Sequence, residues 1–256
     1  MKEIEKLSNK LVNAFVSNKI IAPIPTKFTK KLSEAKKFRK LCESKVKDSI
    51  IGFKAAGTGI PVMKKLKEKK PFYASIFKKN FIKSGKKVKI NKYTLGIELE
   101  VCYLIKKNFF SSKGLITMKN VTKHISHMAP CIEVVGYRQK KKGITSFGDL
   151  CSDFGANVKF LIGQKKKYKK INIENLKTNI TNKKIGQSVD GNTNTVYINP
   201  LNSLRFVLNE LKKDKVNLDK DFYIFTGSTV GVVPILGKGL YTGKIAQLGS
   251  AKAIIN

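Results

Sequence analysis

Apolar residues recur at helical spacing in two stretches near the start of the chain. The first stretch covers residues 3–18 and the second covers residues 32–46. Pro23 and Pro25 lie between them and would interrupt a continuous helix. Apolar side chains at this spacing form one face of an amphipathic helix. We therefore predict a small helical layer within residues 1–49, packed on the rest of the chain.

From residue 50 onward the pattern changes to short β-rich runs separated by glycine, proline and lysine clusters. These runs predict strands at residues 50–54, 95–105, 131–138, 157–162, 221–226 and 240–248. Asn199-Pro200 predicts the start of a helix, since asparagine caps helices and proline fits their first turn. This order of elements predicts an α+β fold in which residues 50–256 form a mixed sheet that rolls on itself, continuous with the helical layer.

Composition limits the class of protein. A chain of 256 residues with 41% hydrophobic content can bury a full core. No apolar run approaches the roughly 20 residues needed to cross a bilayer, and the N-terminus lacks the pattern of a secretory signal. The four cysteines are scattered, which argues against a disulfide framework or a structural zinc site. We therefore expect a cytoplasmic protein with no membrane partner.

The formal net charge of +35 suggests nucleic-acid binding at first sight. Of the 52 basic residues, however, only Arg39, Arg138 and Arg205 are arginines, which are the residues that make bidentate contacts to phosphate and guanine. The lysines are spread over nearly every segment, beside many asparagines and isoleucines, as in proteins encoded by AT-rich genomes. We do not expect a nucleic-acid partner, although the positive field would attract anionic substrates.

Acidic residues are scarce, so the positions of three of them are informative. Between Glu68 and Asp149 the only acidic residues are Glu98, Glu100 and Glu133, and each stands in apolar, strand-like sequence. Side chains alternate between the faces of a strand, so Glu98 and Glu100 point to one side with Cβ atoms roughly 7 Å apart. Two carboxylates on a partly buried face repel each other unless one is protonated or a cation lies between them.

A hard divalent cation such as Mg²⁺ or Mn²⁺ would relieve that repulsion, because both ions prefer carboxylate oxygen and water. The alternative is that Glu98 and Glu100 lie on the wet face of an edge strand and pair with local lysines. The apolar surroundings of Glu133 bring the two interpretations close to even. His124 and His127 form an H-x-x-H pair on a predicted helix, but no third ligand of matching type is near, so we expect them to pack rather than bind zinc.

Short motifs occur along the chain in a distinctive order. They are G-F-K at 52–54, G-I-E-L-E-V at 96–101, I-E-V-V-G-Y-R at 132–138, N-P-L-N-S-L at 199–204, F-T-G-S at 225–228 and G-K-I-A-Q-L-G at 243–249. Their order and spacing, over nearly the whole chain, resemble the 2-keto-4-pentenoate hydratase family of the fumarylacetoacetate hydrolase superfamily. The resemblance implies a mixed β-roll or sandwich of the fumarylacetoacetate hydrolase C-terminal type, and assembly into homo-oligomers.

The resemblance also implies a site and a reaction. By analogy the three glutamates bind Mg²⁺ or Mn²⁺, and the partner is a small 2-oxo or 2-hydroxydienoic acid from the degradation of catechol-type rings. Lys54 matches the lysine of the G-x-K motif, which would bind the substrate carboxylate or transfer a proton. Thr226 and Ser228 match a T-G-S turn that would hold the substrate. The implied enzyme is a hydro-lyase that converts 2-hydroxypenta-2,4-dienoate to a 4-hydroxy-2-oxo acid.

Two departures from the family pattern leave other reactions open. Phe72 stands where the family often carries an aspartate, and Gly136 and Tyr137 replace an Asp-Ser pair. A 4-oxalocrotonate-type decarboxylase of a 2-oxo dioic acid would use the same scaffold. So would a C–C hydrolase of an acylpyruvate, for which only His124 and His127 could activate water. The alternatives of a different class are a basic nucleic-acid-binding protein and an inactive scaffold.

Overall fold

The computed structural model describes residues 2–256, which form five α-helices and thirteen β-strands. The helices are α1 (Lys2–Ser17), α2 (Leu32–Ser44), α3 (Ile60–Lys65), α4 (Phe147–Ser152) and α5 (Pro200–Lys213). The strands are β1 (Ile50–Ala56), β2 (Phe72–Phe77), β3 (Phe81–Lys83), β4 (Lys87–Val88), β5 (Thr94–Ile105), β6 (Ile125–Gly136), β7 (Asn157–Ile162), β8 (Lys166–Lys167), β9 (Lys177–Asn182), β10 (Gln187–Asn192), β11 (Phe222–Ser228), β12 (Gly239–Ile245) and β13 (Gly249–Ile255).

The strands form two sheets. The larger sheet has the order β2-β1-β11-β5-β6-β7-β3, with β8 paired to β6, and the smaller has the order β10-β9-β12-β13-β4. Most neighbours are antiparallel, but β1 pairs with β11, β3 with β7 and, in the smaller sheet, β4 with β13 in parallel. The larger sheet is therefore mixed. Its long central strands, β5 and β6, stay in one register from Gly96 opposite Val135 to Leu104 opposite His127.

Successive side chains of β5 and β6 point alternately to the core between the two sheets and to the opposite face of the larger sheet. Leu99 and Ile132 lie in the core between the two sheets, in the same buried cluster as Tyr241 of β12. The sheets approach so closely that a Cβ at Gly243 would lie 2.7 Å from Leu99 Cδ1, which explains the glycine at this position. Full burial of such apolar side chains contributes about 1.5–3 kcal/mol each. The three glutamates are the immediate sequence neighbours of Leu99 and Ile132, so their side chains lie on the opposite face of the sheet.

The larger sheet curls around the face that carries the glutamates. Phe81 of β3 stacks on Tyr223 of β11 with ring centroids 5.6 Å apart, although β5, β6 and β7 lie between these strands in the sheet order. In a flat sheet, four strand spacings would separate them by roughly 19 Å. The sheet is therefore a roll, and its inner face brings together residues from strands that are not neighbours.

The N-terminal helices pack against this roll through aromatic contacts. Phe15 of α1 stacks on Phe154 with ring centroids 4.4 Å apart and meets Phe77 of β2 edge-on. Phe38 of α2 is wholly buried in the same cluster. The helix α5 packs elsewhere, on the core between the sheets. Across residues 2–256, no helix combines the length and apolar character needed to cross a bilayer.

The predicted α+β fold, with a rolled mixed sheet and a helical layer at the N-terminus, is confirmed, whereas the division at residues 49 and 50 stays a prediction. The predicted helix for the H-x-x-H pair was wrong. His124 ends a 3-10 turn and His127 lies in β6, opposite Leu104. Pairing with β5 holds this segment extended and overrides its local pattern. The His124 ring packs edge-on against Phe109, with centroids 5.4 Å apart.

Candidate metal site and substrate cavity

The three predicted glutamates come together on the inner face of the roll. Glu98 and Glu100 lie on β5, and Glu133 of β6 lies directly opposite Glu98. One carboxylate oxygen from each residue lies within 4.8 Å of the others. Glu100 and Glu133 are wholly buried, while Glu98 is partly exposed. The two-residue alternation of β5 places Glu98 and Glu100 on one face of the sheet. The register of β5 with β6 places Glu133 on the same face, opposite Glu98.

Lys54 of β1 reaches the same cluster. Its ammonium group donates to Glu133 Oε1 at 2.5 Å and to the carbonyl oxygen of Gly155 at 3.3 Å. Since β11 and β5 separate β1 from β6, these strands would lie roughly 14 Å apart in a flat sheet, and the contact depends on the roll. Burial disfavours the charged lysine, but the facing carboxylates, first among them Glu133, raise the pKa of Lys54 above its usual value. Lys54 is therefore a cation at neutral pH.

Gly227 of β11 supplies a backbone contact to the cluster. Its N–H donates to Glu100 Oε2 at 2.7 Å. The residue has a φ of +102°, and a Cβ there would meet Thr58 Oγ1 at 1.9 Å, so only glycine fits. The pairing of β11 with β5 shifts register just before Ser228, and this irregularity lets the N–H reach the carboxylate. The glycine of the T-G-S motif thus has a structural role at the site.

The carboxyl groups of the cluster have raised pKa values and unpaired oxygens, which favour the binding of another cation. Burial raises the pKa of all three carboxyl groups, that of Glu98 to about 7, and Lys54 opposes this shift in each case. Glu100 Oε1 and Glu133 Oε2 are buried without any hydrogen-bond partner. If all three were ionised, the single ammonium would leave two negative charges without compensation, and the raised pKa values show that the metal-free cluster favours bound protons instead. Mg²⁺ or Mn²⁺ would supply the compensating positive charge and the missing contacts, so the donor set fits a hard divalent cation.

A cavity of about 570 Å³ opens beside Lys54 and Glu98. Ser228 lines it, but the Ser228 hydroxyl donates to the carbonyl oxygen of Gly231 at 2.6 Å. Thr226 is wholly buried outside the lining, and its hydroxyl donates to the carbonyl oxygen of Val101 at 2.9 Å. The structure therefore brings Ser228 to the cavity and leaves the Thr226 hydroxyl inside the sheet. A substrate-binding role for either residue stays a prediction.

The segment Phe154–Ala156 closes the site beside Lys54, and the carbonyl oxygen of its central glycine accepts a hydrogen bond from the lysine ammonium. Its backbone is left-handed throughout, with φ of 52° at Phe154, 70° at the central glycine and 56° at Ala156. Asp153, just before it, is wholly buried and accepts hydrogen bonds from the backbone N–H and the guanidinium of Arg138. Left-handed non-glycine residues cost free energy, and this network holds them in place. Only positive φ values would have identified the segment, and sequence does not reveal them here.

Comparison with models of known protein families found no match, and comparison with curated protein sequences found none either. Solved structures do match. A 4-oxalocrotonate decarboxylase from Pseudomonas putida G7, complexed with magnesium and adipate, is 20% identical with a TM-score of 0.83, covering 100% of this chain and 98% of its own. A fumarylpyruvate hydrolase from Pseudomonas aeruginosa, in complex with Mn²⁺ and pyruvate, is 12% identical with a TM-score of 0.56, covering 80% of this chain and 88% of its own.

The chain has the fumarylacetoacetate hydrolase fold. A 5-carboxymethyl-2-hydroxymuconate delta-isomerase from Mycobacterium smegmatis also matches, at 11% identity and a TM-score of 0.55, over 81% of this chain and 80% of its own. These neighbours are a decarboxylase, a hydrolase and an isomerase, so the shared fold serves several reactions. The resemblance read from the sequence is supported at the level of the fold, and no comparison singles out the hydratase family.

Proposed function

We propose that the chain is an enzyme that uses a divalent cation, Mg²⁺ or Mn²⁺, to act on a 2-oxo acid or its 2-hydroxydienoate tautomer. The observation that carries the proposal is the pair of buried, unpartnered oxygens on Glu100 and Glu133, beside a lysine ammonium and a cavity. The structural neighbours solved with magnesium and adipate, and with Mn²⁺ and pyruvate, support it, because each pairs such a cation with a carboxylic acid.

The residues of the chain have distinct roles in this proposal. Glu98, Glu100 and Glu133 would hold the cation, which when bound would polarise the C2 oxygen of a chelating substrate as a Lewis acid. The Gly227 N–H orients Glu100 by its hydrogen bond. The Lys54 ammonium stands where it can hold the substrate carboxylate or donate a proton. The buried inner face of the roll keeps bulk water from this end of the cavity.

Hydration of 2-hydroxypenta-2,4-dienoate is the reaction we assign to these groups. The C2 hydroxyl loses its proton and C5 gains one, which gives 2-oxopent-3-enoate. The oxygen of water then adds to C4 and a proton adds to C3, which gives 4-hydroxy-2-oxopentanoate. The sum of the two steps is the addition of one water, and no oxidant or other co-reactant is needed.

Decarboxylation of a 2-oxo dioic acid is the second candidate, and one observation favours it. A solved structure that matches over the full length of the chain, at a TM-score of 0.83, is a 4-oxalocrotonate decarboxylase. Loss of carbon dioxide from such an acid gives the same type of dienol that the hydration begins from. The same cation site and the same lysine would therefore serve both reactions.

Metal titration followed by product analysis tests the proposal. Calorimetric titration with Mn²⁺ should find one ion per chain. Loss of an outer-shell contact typically weakens metal binding by about 10–100-fold. Glu100→Gln changes a proposed ligand itself and should weaken Mn²⁺ binding by more than that. Asp190→Asn is the matched control, because it removes an exposed acid at the cavity without touching the cluster. Wild-type protein that binds no divalent ion would refute the proposal.

Product analysis then distinguishes hydration from decarboxylation. Incubation with Mg²⁺ and 2-hydroxypenta-2,4-dienoate should yield 4-hydroxy-2-oxopentanoate, identified by mass spectrometry. Release of carbon dioxide from 4-oxalocrotonate, with no hydration of the dienoate, would instead select the second candidate.

A further inference from the structure

A buried glutamine joins the N-terminal helical layer to the candidate site. Gln139 lies just after β6 and is wholly buried. Its Oε1 accepts a hydrogen bond from the backbone N–H of Ile24 at 2.7 Å, and its Nε2 donates to Asp153 Oδ2 at 3.0 Å. Ile24 lies in the chain between α1 and α2, whereas Asp153 follows α4. The side chain of Gln139 therefore bridges two segments that are far apart in sequence.

The chemistry of the two partners requires an amide at this position. The backbone N–H of Ile24 donates, and the carboxylate of Asp153, which faces the Arg138 guanidinium, accepts. A glutamine side chain carries one oxygen acceptor and two N–H donors, so it satisfies both partners at once. An apolar side chain of the same size would leave a buried N–H without a partner, which costs free energy. Gln139 thus contributes a specific connection as well as buried volume.

Backbone pairing reinforces this connection. The N–H of Ile21 donates to the carbonyl oxygen of Arg138 at 2.9 Å, and the N–H of Lys140 donates to the carbonyl oxygen of Ile21 at 2.9 Å. These two bonds form a short parallel bridge opposite Gln139. We call residues 21–24 the linker. The linker is therefore fixed to the chain around Gln139 by both backbone and side-chain hydrogen bonds.

Asp153 extends the connection to Lys54. Its carbonyl oxygen accepts a hydrogen bond from the N–H of Ala156 at 2.7 Å, which closes the left-handed segment Phe154–Ala156. The carbonyl oxygen of Gly155, at the centre of that segment, accepts a hydrogen bond from the Lys54 ammonium at 3.3 Å. A Cβ at Gly155 would lie 3.6 Å from Lys54 Cδ, so the segment packs directly against the lysine side chain. A shift of Asp153 would therefore move the carbonyl group that holds the ammonium.

We propose that Gln139 is a positioning residue, which anchors Asp153 to the linker and thereby holds the segment Phe154–Ala156 against the Lys54 ammonium. Gln139 belongs neither to the glutamate cluster nor to the lining of the cavity, so it acts through Asp153. The proposal gives the N-terminal helical layer a role at the site. It rests on the proposed function only for the reaction in which Lys54 takes part.

Exchange of the Lys54 ammonium protons with water measures this positioning directly. ¹H–¹⁵N correlation spectra of the lysine ammonium groups are recorded on metal-free protein, and the Lys54 signal is identified by its absence from Lys54→Met. Gln139→Met keeps the length of the side chain but removes both of its hydrogen bonds. We expect this change to speed exchange of the Lys54 ammonium by about tenfold, because the segment that closes over the lysine opens more often.

Gln187→Met is the matched control. Gln187 also donates one hydrogen bond, to the carbonyl oxygen of Pro234 at 2.8 Å, and accepts one, from the Tyr241 hydroxyl at 3.1 Å. It begins β10 in the smaller sheet and lies outside the lining of the cavity. This variant loses the same chemical groups and should leave Lys54 exchange unchanged. Lys54 exchange within about twofold of the wild type in folded Gln139→Met would overturn the proposal, because a lost anchor should open the segment by more than that.

Turnover gives a second readout. With 2-hydroxypenta-2,4-dienoate and Mg²⁺, Gln139→Met should lower kcat by about tenfold, since a misplaced ammonium acts poorly on the substrate. Calorimetric Mn²⁺ affinity should stay within about twofold, because the three glutamates keep their contacts. An equal loss of kcat in Gln187→Met would count against a specific role for Gln139. If the wild type turns over no dienoate, the proposed function fails, whereas ammonium exchange still decides the positioning role.

Backbone hydrogen exchange of the wild type tests the same connection if Gln139→Met does not fold. The N–H groups of Ile24 and Ala156 lie at the two ends of the connection. If Gln139 joins these ends, they open together, and their protection factors should agree within about tenfold. A larger difference would show that the linker opens without the segment beside Lys54, and it would overturn the proposal.

Discussion

Replacing Lys54 with methionine would remove the cation that faces the buried carboxylates while keeping most of the side chain's length and apolar surface. The side chains of Lys54 and Glu133 are only 4% and 0% exposed, so solvent barely screens their interaction. Breaking a buried ion pair by removing one partner costs about 3–5 kcal/mol, because the other charge stays buried. We expect the metal-free Lys54→Met protein to lose that much free energy of unfolding.

Urea unfolding in EDTA, followed by circular dichroism, measures this loss. Lys159→Met is the matched control. Lys159 is half-buried, its ammonium donates to the carbonyl oxygen of Lys79 at 2.6 Å, and it has no ion pair within residues 2–256. That change should cost about 1 kcal/mol. If Lys54→Met costs no more than the control, the carboxylates are not held as a charged cluster and the reasoning fails. Saturating Mn²⁺ should recover part of the loss, since it binds only the folded protein.

Three further results are expected. Gly227→Ala should destabilise the protein by more than about 2 kcal/mol in urea unfolding and weaken Mn²⁺ binding. Gly186→Ala, where φ is +65° and a Cβ meets nothing within 4 Å, should cost about 1 kcal/mol and leave Mn²⁺ binding unchanged. Asp153→Asn should cost about 3 kcal/mol because it strands a buried arginine, against about 1 kcal/mol or less for the half-buried Asp149→Asn, and equal losses would contradict this. Since burial raises the pKa of Glu98 to about 7, protons compete with the cation below neutrality. Mn²⁺ affinity measured by titration should therefore fall about tenfold from about pH 8 to about pH 6, and a constant affinity would argue against Glu98 as a ligand.

Much of the central sheet could be predicted from local sequence. In β5 and β6 apolar residues alternate with rare acids, so the shared face of Glu98 and Glu100 follows from the two-residue period of a strand. The helices α1 and α2 also follow from their apolar spacing. These features depend on neighbours in sequence, which local patterns describe well.

Other features depend on long-range pairing and could not be predicted. The position of Glu133 opposite Glu98, and the reach of Lys54 across two strands, are set by register and by the roll. The strands β9 and β10 went unpredicted because they are largely polar, and only every second residue of β9 is buried. The predicted strand at 240–248 ends earlier, at Ile245, where a turn with a left-handed Gln247 leads into β13.

The place of β11 between β1 and β5 has a consequence for biosynthesis. Lys54 and the three glutamates are all translated early, but the strand that must separate β1 from β5 begins only at Phe222. Until β11 leaves the ribosome, Glu100 lacks its backbone donor, and the two halves of the site cannot reach their final spacing. Pairing over such a sequence distance is slow. Formation of the proposed cation site is thereby tied to synthesis of β11, and a product that ends before Phe222 would be released without a formed site.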